Sequence, residues 1–274
     1  MTYSINKPKG VLAVILDWAG TSVDHGSIAP AKVFINVFRR HGVTLTIEEV
    51  RRPMGLAKRD HVKALLDMPS VSSQWQAKHG RIPNNADIDM IYSELGPELE
   101  ITAAQFAKPI RGAVEFAQAM RERGIKIGST TGYVAKMMEG VAPAAKKQGF
   151  YPDSIVVPDE VPAARPAPWM IFENARRLGT FPLSSFIKIG DTVADVQEGV
   201  NAQTWVIGLT LSGNEVGLSE EDLQQLSPSD TKAKRAAAQK RLLDAGAHYT
   251  ADGIWDCLRI IDEIDARIQR GERP

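Results

Sequence analysis

Short apolar runs that end at polar residues constrain the fold of this sequence more than any other feature. Residues 11–16 (VLAVIL) are uniformly apolar and are followed directly by Asp17. Because the run shows no polar alternation, it predicts a central strand of a parallel sheet, buried on both faces. Similar runs predict four further strands, over residues 125–128, 154–157, 186–189 and 204–208.

Amphipathic helical patterns separate most of these strands. Apolar residues recur at three- and four-residue spacing over residues 113–123, 135–148, 168–178 and 193–202. Strands that alternate with helices of this length predict an α/β fold with a doubly wound, Rossmann-like parallel sheet. A last helix is predicted over residues 254–267, and we interpret the polar stretch 212–240 as a surface excursion.

The alternation is interrupted after the first strand. No strand-like run occurs between about residues 26 and 107, and the pattern there predicts helices over residues 30–41, 46–52, 58–67, 70–79 and 86–99. The sequence therefore predicts a core domain of residues 1–25 and 108–274 and a helical cap domain of residues 26–107. Such a cap would lie above the carboxyl edge of the sheet, where ligands bind in open α/β folds.

Composition excludes several classes of protein. The chain has 274 residues, with 33 Lys and Arg against 33 Asp and Glu, and this balance argues against coating of nucleic acid or anionic membrane. The lone cysteine, Cys257, excludes an intramolecular disulfide and fits a reducing compartment. Since no apolar run approaches the roughly 20 residues of a membrane span, and the first ten residues lack a signal-peptide pattern, we expect a cytoplasmic protein.

Polar motifs follow the predicted strands. Asp17 lies in DWAGT, Thr131 in STTGY, Arg165 in the proline-rich VPAARPAPW, and Asp191 with Asp195 in GDTVAD. Carboxylates suit a nucleophile or a Mg²⁺ site, whereas hydroxyl and guanidinium groups suit a phosphoryl group. Each motif alone also fits a turn, a helix cap or a surface arginine. Because all four follow predicted parallel strands, together they favour a functional site.

This arrangement resembles the haloacid dehalogenase superfamily of phosphoryl-transfer enzymes over nearly the whole chain. The resemblance implies that Asp17 is the nucleophile and forms an aspartyl-phosphate. It also implies that Thr131 and Arg165 bind the phosphoryl group, and that Asp191 and Asp195 serve Mg²⁺.

Ala19 departs from the superfamily pattern. Phosphatases of the superfamily usually have an aspartate two residues after the nucleophile, as the acid for an oxygen leaving group, and an alanine has no proton to give. Three interpretations follow: a crippled enzyme, a leaving group that needs no proton, or chemistry from another residue. The Ala19 carbonyl can still serve a metal.

Lys58 is a candidate for the missing chemistry. It follows a glycine-containing turn at the predicted start of a helix, and His61 lies on the same helical face. Enclosure between cap and core, together with nearby Arg51, Arg52, Arg59 and Lys63, would disfavour its charge. A neutral amine can form a Schiff base with a carbonyl compound. The simpler interpretation is a solvated basic helix face.

Ala19 and Lys58 explain each other if the leaving group is a carbon atom next to an imine, because such a leaving group needs no acid aimed at oxygen. Together these two residues resemble the phosphonoacetaldehyde hydrolase family. The segments that carry this resemblance are DWAGTSVD (17–24), MGLAKRDHV (54–62), KIGSTTGY (126–133), VPAARPAPW (161–169) and GDTVADVQEG (190–199). Ala164 is a small departure, since a glycine is expected before the arginine.

The resemblance implies cleavage of the carbon–phosphorus bond of phosphonoacetaldehyde to acetaldehyde and phosphate, through a Lys58 Schiff base and an Asp17 aspartyl-phosphate. It further implies Mg²⁺ on Asp17, the Ala19 carbonyl and Asp191, with Asp195 supporting these ligands. Met54, Gly55, His61 and Tyr133 would contact the substrate, and the partners would be a small phosphonate and a second copy in a homodimer. Alternatives are a phosphomonoesterase or phosphomutase of the same superfamily, or an inactive protein that binds phosphoryl ligands.

Overall fold

A computed structural model describes residues 10–274, so the first nine residues of the predicted core domain lie outside the described part. Six parallel strands form one sheet in the order β3-β2-β1-β4-β5-β6. The strands are β1 (Ala13–Leu16), β2 (Lys126–Thr130), β3 (Ser154–Val156), β4 (Phe186–Gly190), β5 (Trp205–Leu209) and β6 (Tyr249–Ala251). With helices on both of its faces, this sheet confirms the predicted doubly wound α/β fold.

Twelve α-helices accompany the sheet within residues 10–274. The first five follow β1: α1 (Ile28–Arg40), α2 (Ile47–Arg51), α3 (Lys58–Leu66), α4 (Pro69–His79) and α5 (Asn85–Gln105). The other seven belong to the α/β part: α6 (Ala113–Glu122), α7 (Ala135–Lys146), α8 (Trp169–Leu178), α9 (Val193–Asn201), α10 (Glu220–Gln224), α11 (Pro228–Asp244) and α12 (Cys257–Gln269).

The structure differs from the sequence predictions where burial is low. Strand β6 was not predicted, because only its last residue is buried and its segment shows no apolar run. The segment 212–240 lies at the surface only from about residue 215 onward, since residues 212–214 are buried against the core. Its exposed part forms α10 and most of α11, two helices that begin at the serine caps Ser219 and Ser227. Helix α5 continues past the predicted end at residue 99 and through Pro97 to Gln105.

Helices α1–α5, which we call the insert, leave and re-enter the α/β part at one place. Asp24 N–H donates to the Lys108 carbonyl at 3.3 Å, and Ile110 N–H donates to the Ser22 carbonyl at 2.9 Å. The insert packs on the α/β part through α5 and α7. The domain boundaries at residues 25/26 and 107/108 stay a prediction.

The apolar side of α1 lies inside the insert. Val33, Phe34 and Val37 are all buried within this chain. Packing inside the insert therefore accounts for this apolar face. Among residues 10–274, no helix combines the length and the apolar character that crossing a membrane requires.

The strand register brings the polar motifs to one edge of the sheet. Leu16 on β1 stands opposite Ser129 on β2 and Ile189 on β4. The next residues of the three strands, which include Asp17 and Gly190, therefore emerge side by side at the carboxyl edge.

Candidate active site

Three carboxylates form the centre of the candidate site. Asp17, Asp191 and Asp195 are buried, and one oxygen of each lies within 4.8 Å of an oxygen of the other two. Oxygen donors gathered this closely suit a hard divalent cation such as Mg²⁺, which would offset their mutual repulsion. The donor set therefore fits the metal that the sequence predicts.

Asp191 is held from both sides by the main chain and a hydroxyl. The Thr21 hydroxyl donates to its Oδ1 at 2.9 Å, and Asn214 N–H donates to its Oδ2 at 2.7 Å. Gly20 and Gly213 leave no room beside it, since a Cβ on either residue would lie 2.1 Å from an Asp191 side-chain atom. Burial and the neighbouring Asp17 raise the pKa of Asp191 well above its usual value.

Asp195 lies in the first turn of α9 and is fixed by the helix start. The Thr192 hydroxyl donates to its Oδ2 at 2.6 Å, and Asp195 N–H donates back to that hydroxyl oxygen, which makes a capping box. Its Oδ1 lies 2.9 Å from Arg165 Nη1 and 2.8 Å from Lys188 Nζ. Burial alone would raise the pKa of Asp195, but these two cations hold it below its usual value.

Arg165 is almost completely buried and pairs with three carboxylates. Its guanidinium lies 2.8 Å from Asp17 Oδ1, 2.9 Å from Asp195 Oδ1 and 3.0 Å from Glu198 Oε2. These anions raise its pKa above the usual value even though burial opposes the charge. Arg165 is therefore a fixed positive charge beside Asp17, in the place where a phosphoryl group would need one.

Three residues of this network were missed by the sequence analysis. The Thr130 hydroxyl donates to Glu198 Oε2 at 2.8 Å and accepts from Arg165 Nη2 and from Lys188 Nζ. Lys188 Nζ also lies 3.2 Å from Glu198 Oε2. The sequence did hold one signal for this network, a charged residue inside an apolar strand. Lys188 interrupts the FIKIG strand and is fully buried there, so it needs a charged or polar partner.

Lys58 reaches the same place from the insert. It is the first residue of α3, its side chain is buried, and its Nζ lies 5.1 Å from the centre of the Tyr133 ring. Within the described residues, no carboxylate lies within ion-pair distance of this ammonium. Burial first, and then Arg165, lower the pKa of Lys58 to about 8, although Asp17 opposes the shift.

The cause of the Lys58 shift differs in part from the one expected. Burial between the insert and the core acts as predicted, but the second cation is Arg165 of the core. Two of the neighbours that the sequence suggested are neutralised elsewhere, because Arg59 pairs with Asp89 and Lys63 pairs with Asp67 at the surface.

The insert and the core line a cavity of about 20 Å³ between them, close to the space that one water molecule needs. Its lining includes Asp17, Lys58 and Arg165 together with most of the other predicted site residues: Ala19, Met54, Gly55, Thr131 and Tyr133. Ser27, which was not predicted, also lines it. The side chains that the resemblance assigned to catalysis therefore converge on one small cavity between the insert and the core.

Among the predicted site residues, Asp191 and Asp195 lie beside Asp17 without lining this cavity, and His61 lies away from it altogether. Its Nε2 lies 2.9 Å from the Val50 carbonyl, and its ring stacks on Phe34 with 4.0 Å between the ring centres. Burial, followed by the nearby Lys58 charge, lowers its pKa well below the usual value. His61 thus lies in the apolar interior of the insert as a neutral ring behind Lys58.

Two glycines bring the insert and the core into close contact beside the site. A Cβ on Gly132 would lie 2.6 Å from the Leu56 carbonyl oxygen, and a Cβ on Gly55 would lie 2.3 Å from the Thr192 hydroxyl. Gly55 also has a φ of +89°, which disfavours other residues. Glycine at both positions allows the contact that encloses Lys58.

Comparisons with known proteins place the chain in a family. The family model for haloacid dehalogenase-like hydrolases matches residues 11–203. A protein of Nitratidesulfovibrio vulgaris named phosphonoacetaldehyde hydrolase is 48% identical over 264 residues, which cover 96% of this chain and 94% of that protein. A Bacillus cereus protein of the same name is 46% identical over 253 residues, covering 92% of this chain and 96% of that protein.

A solved structure has the same architecture throughout. The crystal structure of a phosphonoacetaldehyde hydrolase-like protein from Oleispira antarctica superimposes with a TM-score of 0.96 at 36% sequence identity. The match covers 100% of this chain and 99% of that one. The similarity thus includes the insert as well as the sheet.

Proposed function

The chain belongs to the phosphonoacetaldehyde hydrolase family of haloacid dehalogenase-like hydrolases, and on that premise we propose that it cleaves phosphonoacetaldehyde to acetaldehyde and phosphate. The observation that carries the proposal is the buried Lys58 amine, which shares one cavity with Asp17 and Arg165. An amine suits the aldehyde end of this substrate, and a guanidinium suits its phosphonate end.

The reaction begins at Lys58. A pKa of about 8 leaves part of the amine neutral near neutral pH, and the neutral amine condenses with the aldehyde to an imine while one water is released. The carbon–phosphorus bond then lies beta to the imine nitrogen. Once the imine nitrogen has taken up a proton, the electron pair of this bond can flow into an enamine when the bond breaks.

Asp17 supplies the nucleophile in this scheme. Its carboxylate attacks phosphorus, the enamine leaves through carbon, and an aspartyl-phosphate remains. Water hydrolyses the acyl phosphate to phosphate and Asp17, while the enamine takes a proton on carbon and a second water releases acetaldehyde from Lys58. Because the leaving group is carbon, no acid is needed at position 19, where an alanine lines the cavity.

Arg165 and Thr131 bind the phosphonate oxygens in the proposed complex. Burial and the nearby Asp195 raise the pKa of Asp17, whereas Arg165 lowers it and so favours the ionised nucleophile. Asp17, the Ala19 carbonyl and Asp191 would hold Mg²⁺, with Asp195 beside them. When bound, the cation supplies positive charge that screens the carboxylate from the phosphonate.

Access to the site requires the insert to move. A cavity of about 20 Å³ holds no more than a water molecule, so phosphonoacetaldehyde cannot enter while the insert lies closed on the core. We propose that the insert acts as a cap, opening for exchange and closing to bury Lys58. Met54, Gly55 and Tyr133 then surround the imine, and His61 lies behind it.

The first test is phosphate release from phosphonoacetaldehyde, measured with Mg²⁺ and after removal of divalent metal with EDTA. We expect turnover with Mg²⁺ and its loss with EDTA. A panel of sugar phosphates serves as the comparison, since a phosphomonoesterase or phosphomutase would turn these over instead. Tight phosphonate binding without phosphate release would identify an inactive binding protein.

The second test traps the imine. Incubation with phosphonoacetaldehyde and borohydride should reduce the adduct onto Lys58 and destroy activity, as peptide mass spectrometry would show. Lys58→Arg keeps the charge but cannot form the imine, and we expect turnover to fall by at least about a thousandfold. Lys63→Arg, on the exposed side of the same helix, is the matched control and should keep wild-type turnover. Labelling at another residue would contradict the mechanism.

We also propose a cytoplasmic homodimer. The free, buried Cys257 fits a reducing compartment, and the homodimer follows from the family resemblance. Light scattering on a size-exclusion column would give the oligomeric state, and a monomer at micromolar concentration would contradict the homodimer.

A further inference from the structure

Arg51 extends from the insert into a loop of the core. It is the last residue of α2, and its guanidinium donates to the Gly26 carbonyl at 2.8 Å, to Asn214 Oδ1 at 3.2 Å and to the Gly217 carbonyl at 2.9 Å. Asn214 and Gly217 belong to the segment that follows β5, and we refer to residues 213–217 as the clasp loop. One side chain of the insert thus holds the core loop at two points.

The clasp loop holds Arg51 in return. Asn214 Nδ2 donates to the Arg51 carbonyl at 3.0 Å, so that side chain and main chain of both residues take part. Gly217 has a φ of +67°, and a Cβ there would lie 2.3 Å from the Arg51 guanidinium carbon. The guanidinium therefore packs directly on the loop as well as bonding to it.

The same loop orients a carboxylate of the candidate metal site. Asn214 N–H donates to Asp191 Oδ2 at 2.7 Å, and a Cβ on Gly213 would lie 2.1 Å from Asp191 Cβ. A continuous series of direct contacts therefore runs from Arg51, through Asn214, to Asp191. Its first link joins the insert to the core and exists only while the two lie together.

We propose that Arg51 is a positioning residue that makes closure of the insert and cation binding at Asp191 depend on each other. Closure brings Arg51 onto the clasp loop, which fixes the Asn214 amide that orients Asp191. Because such coupling is reciprocal, a cation at Asp191 must also favour the closed insert. The inference rests on the proposed function only in placing a divalent cation at this cluster.

Mn²⁺ binding tests the first half of the proposal without any turnover. Electron paramagnetic resonance of free Mn²⁺ gives the dissociation constant of wild type, Arg51→Met and Arg52→Met. Arg52 is the exposed neighbour and provides the matched control. We expect Arg51→Met to weaken Mn²⁺ binding about tenfold and Arg52→Met to leave it unchanged.

Hydrogen exchange tests the second half. In wild type and Arg52→Met, Mg²⁺ should slow amide exchange both in the clasp loop and in residues 50–57 of the insert. In Arg51→Met, Mg²⁺ should leave residues 50–57 unprotected. Arg51→Lys keeps one charged donor and should restore part of both effects, which also covers the case in which Arg51→Met fails to fold.

A double-mutant cycle separates coupling from a general structural effect. If Arg51 acts through Asn214, adding Asn214→Ala to Arg51→Met should weaken Mn²⁺ binding little beyond the larger single effect. Mn²⁺ affinity equal to wild type in Arg51→Met, or an equal loss in Arg52→Met, would overturn the proposal. These results do not depend on phosphonoacetaldehyde, so an inactive wild type would contradict the proposed function and leave the coupling intact.

Discussion

Lys58 and Arg165 are two buried cations that line the same cavity, and their surroundings are opposite. Arg165 pairs with three carboxylates, and its pKa lies above the usual value. Lys58 faces an aromatic ring and has no carboxylate partner within residues 10–274, and its pKa falls to about 8. Burial therefore makes a permanent charge where counter-ions accompany the cation, and a switchable amine where they do not.

This difference matches a division of the proposed reaction. Binding of a phosphonate needs a permanent positive charge, and an arginine that pairs with carboxylates provides it. Imine formation needs an amine that can lose its proton, and the insert provides it by burying Lys58 away from anions. The core thus supplies fixed electrostatics, and the insert supplies the group whose charge depends on closure.

The largest expected effect comes from Asp17, which favours the charged form of both cations. Asp17→Asn should lower phosphate release by at least about 10⁴-fold because the nucleophile is lost. The same change removes an anion that raises the pKa of Lys58, so borohydride labelling of Lys58 should continue and become faster at pH 7. Asp60→Asn is the control, because Asp60 is an exposed aspartate on the same helix as Lys58. Near-normal phosphate release would exclude Asp17 as the nucleophile.

The second prediction is that replacing the two cations by methionine changes the free energy of unfolding in opposite directions. Arg165→Met leaves three buried carboxylates without their shared partner, and we expect the free energy of unfolding in EDTA to fall by about 3–5 kcal/mol. Lys58→Met removes a buried cation that has no such partner. Because folding lowers the Lys58 pKa from 10.5 to about 8, its protonated form opposes folding at pH 7.

For Lys58→Met we therefore expect a gain of about 2 kcal/mol at pH 7, after allowing for the lost contact with the Tyr133 ring. The gain should shrink as the pH rises from 8 towards 10.5, where the unfolded state also loses the proton. Urea unfolding at several pH values measures both variants. Equal losses for the two variants would show that the two cations are equally well compensated.

The smallest effect is the pH dependence of Lys58 itself. The neutral amine is the reactive form, so labelling by acetaldehyde and borohydride should rise about tenfold per pH unit below pH 8 and level off above it. Peptide mass spectrometry gives the rate at Lys58, and Lys63 provides an exposed reference in the same sample. A rise that continues to pH 10 would mean that closure does not lower the pKa of Lys58.

Most of the core was predictable because apolar runs report burial directly. Residues 11–16 and 186–189 gave the central strands, and the polar residues that follow them gave the carboxylates. Lys58 was predictable as a candidate because Ala19 stands where a general acid is usual, so that another residue had to supply the chemistry. Strand β6 was not, since only its last residue is buried and its place in the sheet comes from pairing with β5, a segment distant in sequence.

The contacts between insert and core were beyond the sequence for the same reason. Arg51 and Asn214 are 163 residues apart, and neither stands out in its local segment. The second cation acting on Lys58 was expected among its neighbours in sequence, but it comes from Arg165, on the opposite wall of the cavity. Local patterns report which residues are buried, whereas pairing between distant segments depends on packing.

The contact of Gly132 with the carbonyl of Leu56 has a consequence for redesign of the site. Substrate range is usually widened by trimming side chains that line a pocket, but at this seam backbone touches backbone and no side chain remains to be trimmed. Widening the site at this seam therefore requires residues inserted into the loop that precedes Lys58, whereas elsewhere in the lining the side chains of Met54 and Tyr133 can be trimmed. Loop length, rather than residue identity, sets the size limit at this seam.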